Sequence, residues 1–142
     1  KEKGFAVAVI SGGISFFADR VAQELKIPHV FANKIHERNT ILTGKVTISV
    51  TSTNKPKLLL QLLRQLKLSL RHTVAVGDDF TMIPLFKIVG LSIAFNPSTN
   101  DVGKSAHVVV NSRNLLDTLS YILKNCKIDS YSNCARFFLN SL

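Results

Sequence analysis

No apolar stretch in this chain approaches the roughly eighteen residues that a membrane-crossing helix needs. The runs Ala6 to Ile10, Leu58 to Leu60 and Val108 to Val110 all soon meet polar residues, so a soluble chain with no membrane partner is expected. Cysteine is nearly missing. Cys126 and Cys134 form no CxxC pair and have no histidines near them at metal-ligand spacing, which excludes the usual thiolate metal sites and reads as two free thiols. Lys1-Glu2-Lys3-Gly4 leads straight into an apolar strand without a secretory h-region, so a cytoplasmic setting is expected. Acidic residues are scarce: nine against eighteen lysines and arginines give a formal charge of +9, which favours anionic partners such as phosphate esters, nucleic acid or acidic lipid. The basic residues are scattered from Lys1 to Arg136 with no block of five or six and few aromatics between them. That pattern is a solvated basic surface, and a nucleic-acid stripe is not expected. Repeats and low-complexity segments are absent, and 142 residues with 46% apolar side chains suffice for one packed domain.

What is present is an alternation of short apolar strands and amphipathic helices. Ala6 to Ile10 (AVAVI) is β-branched and apolar throughout, as a strand buried on both faces must be, and Ser11-Gly12-Gly13 stops it. Phe16, Phe17, Val21, Ala22 and Leu25 recur at helical spacing, so strand, glycine turn and helix form a βα unit. Pro28 ends that helix, His29 to Ala32 fits a short strand, and Lys34 to Val50 alternates like an antiparallel hairpin turning near Asn39. Leucines at helical spacing predict a helix over Lys57 to Leu68, with Pro56 in its first turn. Thr73 to Val76, Leu91 to Phe95 and His107 to Val110 are further buried strands, while Ile83 to Val89 and Arg113 to Leu123 are helical. The alternation predicts a Rossmann-like α/β fold, a parallel sheet flanked by helices with a small β-hairpin excursion, and sites at the C-terminal ends of its strands. Residues 1–124 form the core and 125–142 a tail with no signal beyond Phe137-Phe138.

Three features sit where such a fold places chemistry. Ser11-Gly12-Gly13 can offer a hydroxyl and backbone N–H groups to a phosphoryl oxygen at a helix N-terminus, or can simply be a tight βα turn. Lys55 can neutralise a phosphate as a point charge, or can be a solvated loop lysine. Asp78 can hold Mg²⁺ beside phosphate oxygens, or Asp78 and Asp79 can cap the next helix.

Their order and spacing carry a resemblance. Val7 to Ala22 (VAVISGGISFFADRVA), Phe31-Ala32-Asn33, Leu42 to Val46 (LTGKV), Lys55, Thr73 to Asp78 (TVAVGD), Pro84 and Gly90 to Phe95 (GLSIAF) together resemble the phosphoserine phosphatases of the haloacid dehalogenase superfamily, over about Lys3 to Val110. The resemblance implies a Mg²⁺-dependent phosphomonoesterase that passes a phosphoryl group to an aspartate and then to water. It implies phosphate binding by Ser11, Gly12 and Lys55, a catalytic role for Lys55 in offsetting developing charge, and a Mg²⁺ ligand in Asp78, with Asp79 a second candidate.

The chain departs from that family in two ways. The DxDxT strand carrying the family's aspartyl nucleophile lies upstream of Ser-Gly-Gly, and nothing in Lys1 to Ile10 matches it; the helical cap that recognises substrate is also absent, so no nucleophile is expected in this chain. Within the matched region the family's GDGxND reads Gly77-Asp78-Asp79-Phe80-Thr81-Met82. Met82 replaces a carboxylate, and a thioether does not orient hard, oxygen-seeking Mg²⁺, so metal binding is expected to be weak or absent. Two functions are therefore expected: a C-terminal fragment or decayed copy of a phosphoserine phosphatase-like hydrolase, inactive alone on phosphoserine-type substrates, or a non-catalytic α/β module that binds a phosphate-like anion or a protein partner. Because the missing strand is central in the family, the strands at Ala6 to Ile10 and Thr73 to Val76 should leave a gap. They would close it by pairing directly, by self-association or by accepting a separate N-terminal half.

Overall fold

The computed structural model describes residues 5–125 and 137–140. Cys126, Cys134 and Lys1 to Gly4 lie outside the described residues. The elements are β1 (Ala6–Ile14), α1 (Ser15–Glu24), β2 (His29–Arg38), β3 (Ile41–Thr47), α2 (Lys55–Leu66), β4 (Thr73–Gly77), α3 (Ile83–Phe86), β5 (Leu91–Phe95), α4 (Asn100–Ser105), β6 (Val108–Val110), α5 (Leu119–Asn125) and β7 (Phe137–Asn140). They build a seven-stranded sheet in the order β3-β2-β1-β7-β4-β5-β6. Among the described residues only β2 and β3 pair antiparallel, which makes them the hairpin hung on an otherwise parallel sheet. Arg38 faces Ile41 across its turn, and Asn39 and Thr40 both take positive φ, at 51° and 66°, as a tight two-residue turn between twisted strands requires.

The core lies on both sides of the sheet. On one face Leu59, Leu62 and Leu63 of α2 share a buried cluster with Ala8 and Ile10 of β1, Ala75 of β4, and Met82, Leu85 and Phe86 after it. On the other, Ile122 of α5 closes over Val74, Val76, Leu91, Ile93 and Val110. The α2 helix begins with Pro56 in its first turn and ends at Lys67, whose left-handed φ of 55° stops it.

Four expectations change. The Ser11-Gly12-Gly13 segment is not a tight turn: β1 continues through it to Ile14, with a register shift against β2 between Ile10 and Ile14. In α1 the buried residues are Ala18 and Ala22, one turn apart and small enough to let the helix lie close to the sheet, while Phe16, Phe17 and Leu25 face outward. The helix over Ile83 to Val89 shrinks to the single turn of α3, preceded by a 3-10 turn at Phe80–Met82 and followed closely by Gly90. A Cβ there would lie 1.9 Å from the Arg71 carbonyl oxygen. Finally, the central gap is filled from within. β7, from the segment read as a tail, pairs parallel with β1 on one side and β4 on the other; Leu139 aligns with Ala8 and with Ala75.

Candidate active site

The site lies along the C-terminal edge of the parallel strands, where β1 delivers Ser11 and Gly12, β4 delivers Asp78, and the start of α2 delivers Lys55. Ser11 is buried and its Oγ accepts from the Gly13 N–H at 3.0 Å. Gly12 is exposed, with nothing within 4 Å of where a Cβ would stand, so its backbone borders open space. With β7 between them, the ends of β1 and β4 are two strand spacings apart, about 10 Å.

Lys55 is not a loop lysine in solvent: its residue is 0% exposed. Its Nζ donates to Thr81 Oγ1 at 2.6 Å and lies 3.6 Å from Met82 Sδ. Thr81 in turn donates from both its hydroxyl (2.6 Å) and its backbone N–H (2.9 Å) to Asp79 Oδ1. The ammonium is therefore tied to a carboxylate through one hydroxyl. Burial pushes the Lys55 pKa below its ordinary 10.5, and Asp79 and then Asp78 pull it back up. The cation so held favours a negative partner that brings its own charge into the site.

Met82 is 0% exposed and packs on Gly77, where a Cβ would lie 2.4 Å from Met82 Cγ. That contact is why glycine is required at the end of β4. Asp79 caps the 3-10 turn, while Asp78 is exposed and its backbone carbonyl accepts from Ser98 N–H at 2.8 Å. Among the described residues no three His, Cys, Asp or Glu side chains cluster as a metal site. One exposed carboxylate, a second engaged by Thr81, a soft thioether and an ammonium do not fit Mg²⁺, which asks for hard oxygen donors, and no step is derived through the ion.

Asn33 and Thr81 hold the site together, and neither was predicted as a site residue. The Asn33 amide donates to the carbonyls of Gly12 (2.8 Å) and Val50 (3.1 Å), and its Oδ1 accepts from the N–H groups of Ser49 and Val50, both at 2.8 Å. One side chain thus joins the Ser-Gly-Gly strand end to the loop that enters α2. Asn54 continues the staple, accepting from Thr51 N–H and donating to the Ser49 carbonyl. The only sequence signal for Asn33 was its place in the Phe31-Ala32-Asn33 match.

A family model for haloacid dehalogenase-like hydrolases matches residues 1–80. The chain belongs to that family. Among curated relatives of this haloacid dehalogenase-like chain, the phosphoserine phosphatase of Lactococcus lactis subsp. lactis (strain IL1403) is 37% identical over 125 residues, covering 86% of this chain and 56% of the relative. The phosphoserine phosphatase of Methanocaldococcus jannaschii is 32% identical over 123 residues, covering 86% and 58%. The chain spans a little over half the length of these relatives. A solved phospho-aspartyl intermediate analogue of phosphoserine phosphatase superposes with a TM-score of 0.78 at 31% identity, covering 85% of this chain and 58% of that one. A probable phosphoserine phosphatase from Vibrio cholerae gives 0.77 at 27% identity, covering 91% and 41%. Among the described residues no helix is long and apolar enough to cross a membrane.

Proposed function

We propose that this chain is the C-terminal part, or a decayed copy, of a phosphoserine phosphatase-like phosphomonoester hydrolase, and that it retains the phosphate-binding half of the chemistry without turnover. The observation that carries this is the buried Lys55 ammonium, held through Thr81 to Asp79 and destabilised by its burial. A phosphoryl group beside it would supply the missing countercharge, and Ser11 and the Gly12 N–H at the end of β1 would add donors. Hydrolysis needs a nucleophile and a metal-orienting carboxylate; the sequence contains no DxDxT, and position 82 is a methionine. Contact between the Met82 sulfur and Lys55 favours a second reading, a non-catalytic anion-binding module, because the thioether occupies space beside the ammonium without neutralising it.

Amide chemical-shift titration with inorganic phosphate, run beside a colorimetric assay of phosphate release from phosphoserine with Mg²⁺, tests both. Shifts at Ser11 to Ile14 and around Lys55 with background hydrolysis are expected. Turnover that vanishes in Lys55→Ala would establish an intact enzyme instead, and shifts confined to other regions would remove the anion site.

A further inference from the structure

Asp79 is a charged side chain at the site for which anion binding alone has no use. Its Oδ1 accepts from the Thr81 hydroxyl at 2.6 Å and from the Thr81 N–H at 2.9 Å, and the same hydroxyl accepts from Lys55 Nζ at 2.6 Å. Both side-chain hydrogen bonds run towards the carboxylate, so each polarises the other and the charge of Asp79 is felt at the ammonium. Nothing else cancels that charge: among the described residues Asp79 forms no direct ion pair. Of the two carboxylates that draw on Lys55, Asp79 pulls harder than Asp78. One ammonium and two carboxylates therefore leave the site with a net negative charge before any ligand arrives. Met82 Sδ, 3.6 Å from Nζ, is a weak acceptor and adds no charge to either side of this balance.

Resting on the anion site of the preceding reading, we propose that Asp79 determines which charge that site accepts. It offsets the attraction that Lys55 offers to a second negative charge, so the site takes singly charged phosphoryl groups, such as phosphodiesters, and does not select doubly charged phosphomonoesters. Each added charge on a ligand meets one close attraction, from Lys55, and two more distant repulsions, from Asp79 and Asp78. At an effective dielectric constant of about 20, a unit charge roughly 10 Å away changes affinity by about 10-fold for every charge the ligand bears. A doubly charged ligand also gives up more hydration on approaching an ammonium that is itself fully buried.

Amide chemical-shift titration of the full chain at about pH 7 with dimethyl phosphate and with methyl phosphate tests this, because the two share a phosphoryl core and differ in charge; the second pKa of a phosphate monoester is about 6. Wild type should bind dimethyl phosphate at least as tightly as methyl phosphate. Asp79→Asn removes the charge while keeping an oxygen for Thr81 and an N-cap as good as aspartate. It should tighten dimethyl phosphate about 10-fold and methyl phosphate about 100-fold, reversing the order. Asp79→Glu, which keeps the charge, should keep the wild-type ratio, a result that a purely structural role for Asp79 does not produce. Wild type that binds methyl phosphate more than about 10-fold more tightly than dimethyl phosphate, or an Asp79→Asn ratio equal to that of wild type, overturns the inference. Should Asp79→Asn not fold, the wild-type ratio alone decides. Inorganic phosphate that shifts Ser11 to Ile14 while methyl phosphate is strongly favoured removes only this inference. Silence of those amides towards all three ligands removes the anion site and the inference with it.

Discussion

Replacing Lys55 by methionine separates what this residue does for binding from what it does for folding. The two side chains have nearly equal length, and the stem of Lys55 is already fully buried, so Lys55→Met keeps the packing and removes the ammonium. The loss is one hydrogen bond to Thr81, whose hydroxyl keeps its bond to Asp79; a hydrogen bond from a charged donor contributes about 1.5–3 kcal/mol. The gain is relief from a buried charge whose desolvation outweighs its attraction to Asp79 and Asp78, as the downward pKa shift records. Replacing a whole buried ion pair by apolar groups of similar volume often stabilises by about 1–4 kcal/mol; here only the cation goes, and Asp79 keeps its bonds from Thr81. The two effects nearly offset, and the net expectation near neutral pH is a stability change of less than about 2 kcal/mol in either direction. Phosphate affinity falls about 10- to 100-fold, the equivalent of a charged hydrogen bond of about 1.5–3 kcal/mol.

The pH dependence follows from the direction of the shift. Below the lowered folded pKa both states hold the lysine proton, and the burial cost is fully present. As pH rises through that value towards the ordinary 10.5, the folded protein releases a proton that the unfolded chain still binds, so wild-type stability rises relative to the variant. Urea unfolding of both proteins at pH 7 and again near pH 10 measures the gap. A variant destabilised by more than about 3 kcal/mol at pH 7, beyond the loss of a single charge-assisted hydrogen bond, or a gap that does not change with pH, would refute the burial argument.

The remaining predictions concern the groups around Lys55. Met82→Asp places a carboxylate beside the Lys55 ammonium, so the lysine should hold its proton to higher pH; an NMR titration of the Lys55 side chain showing an unchanged midpoint would mean that the two groups do not meet. In a fusion to an intact N-terminal half of a related phosphatase, the same substitution should raise phosphoserine hydrolysis, and no gain would clear Met82 as the defect. Gly77→Ala drives a Cβ to 2.4 Å from Met82 Cγ and should cost about 1–3 kcal/mol in urea unfolding. Asn33→Ala removes four hydrogen bonds joining Gly12, Ser49 and Val50; it should lower stability by about 2 kcal/mol and weaken phosphate binding, and unchanged amide shifts at Gly12 and Val50 would contradict the staple.

By itself the sequence determined the fold class. Apolar β-branched runs at Ala6–Ile10, Thr73–Val76 and Leu91–Phe95 can be buried only in a parallel sheet, and leucines from Leu58 to Leu66 at helical spacing can cover only one face of it. Ser11, Lys55 and Asp78 stood out by their order and spacing, through resemblance to a known family, while local rules left each with a second reading. Tertiary structure alone decided how those residues are used. Lys55 reads as a solvated loop lysine or a phosphate-neutralising charge, and its burial appears only once Thr81 and Met82, brought from 26 and 27 residues away, are in place. Asn33 carries no local pattern, since its four bonds span 17 residues forward and 21 back, and no window of sequence shows them. The six-residue α4 buries one side chain, Val102, too little for periodicity to register. The four residues of β7 read as a tail for the same reason: a strand that short becomes a strand only where two others already offer unpaired backbone, and pairing across more than sixty residues is a property of the assembled sheet.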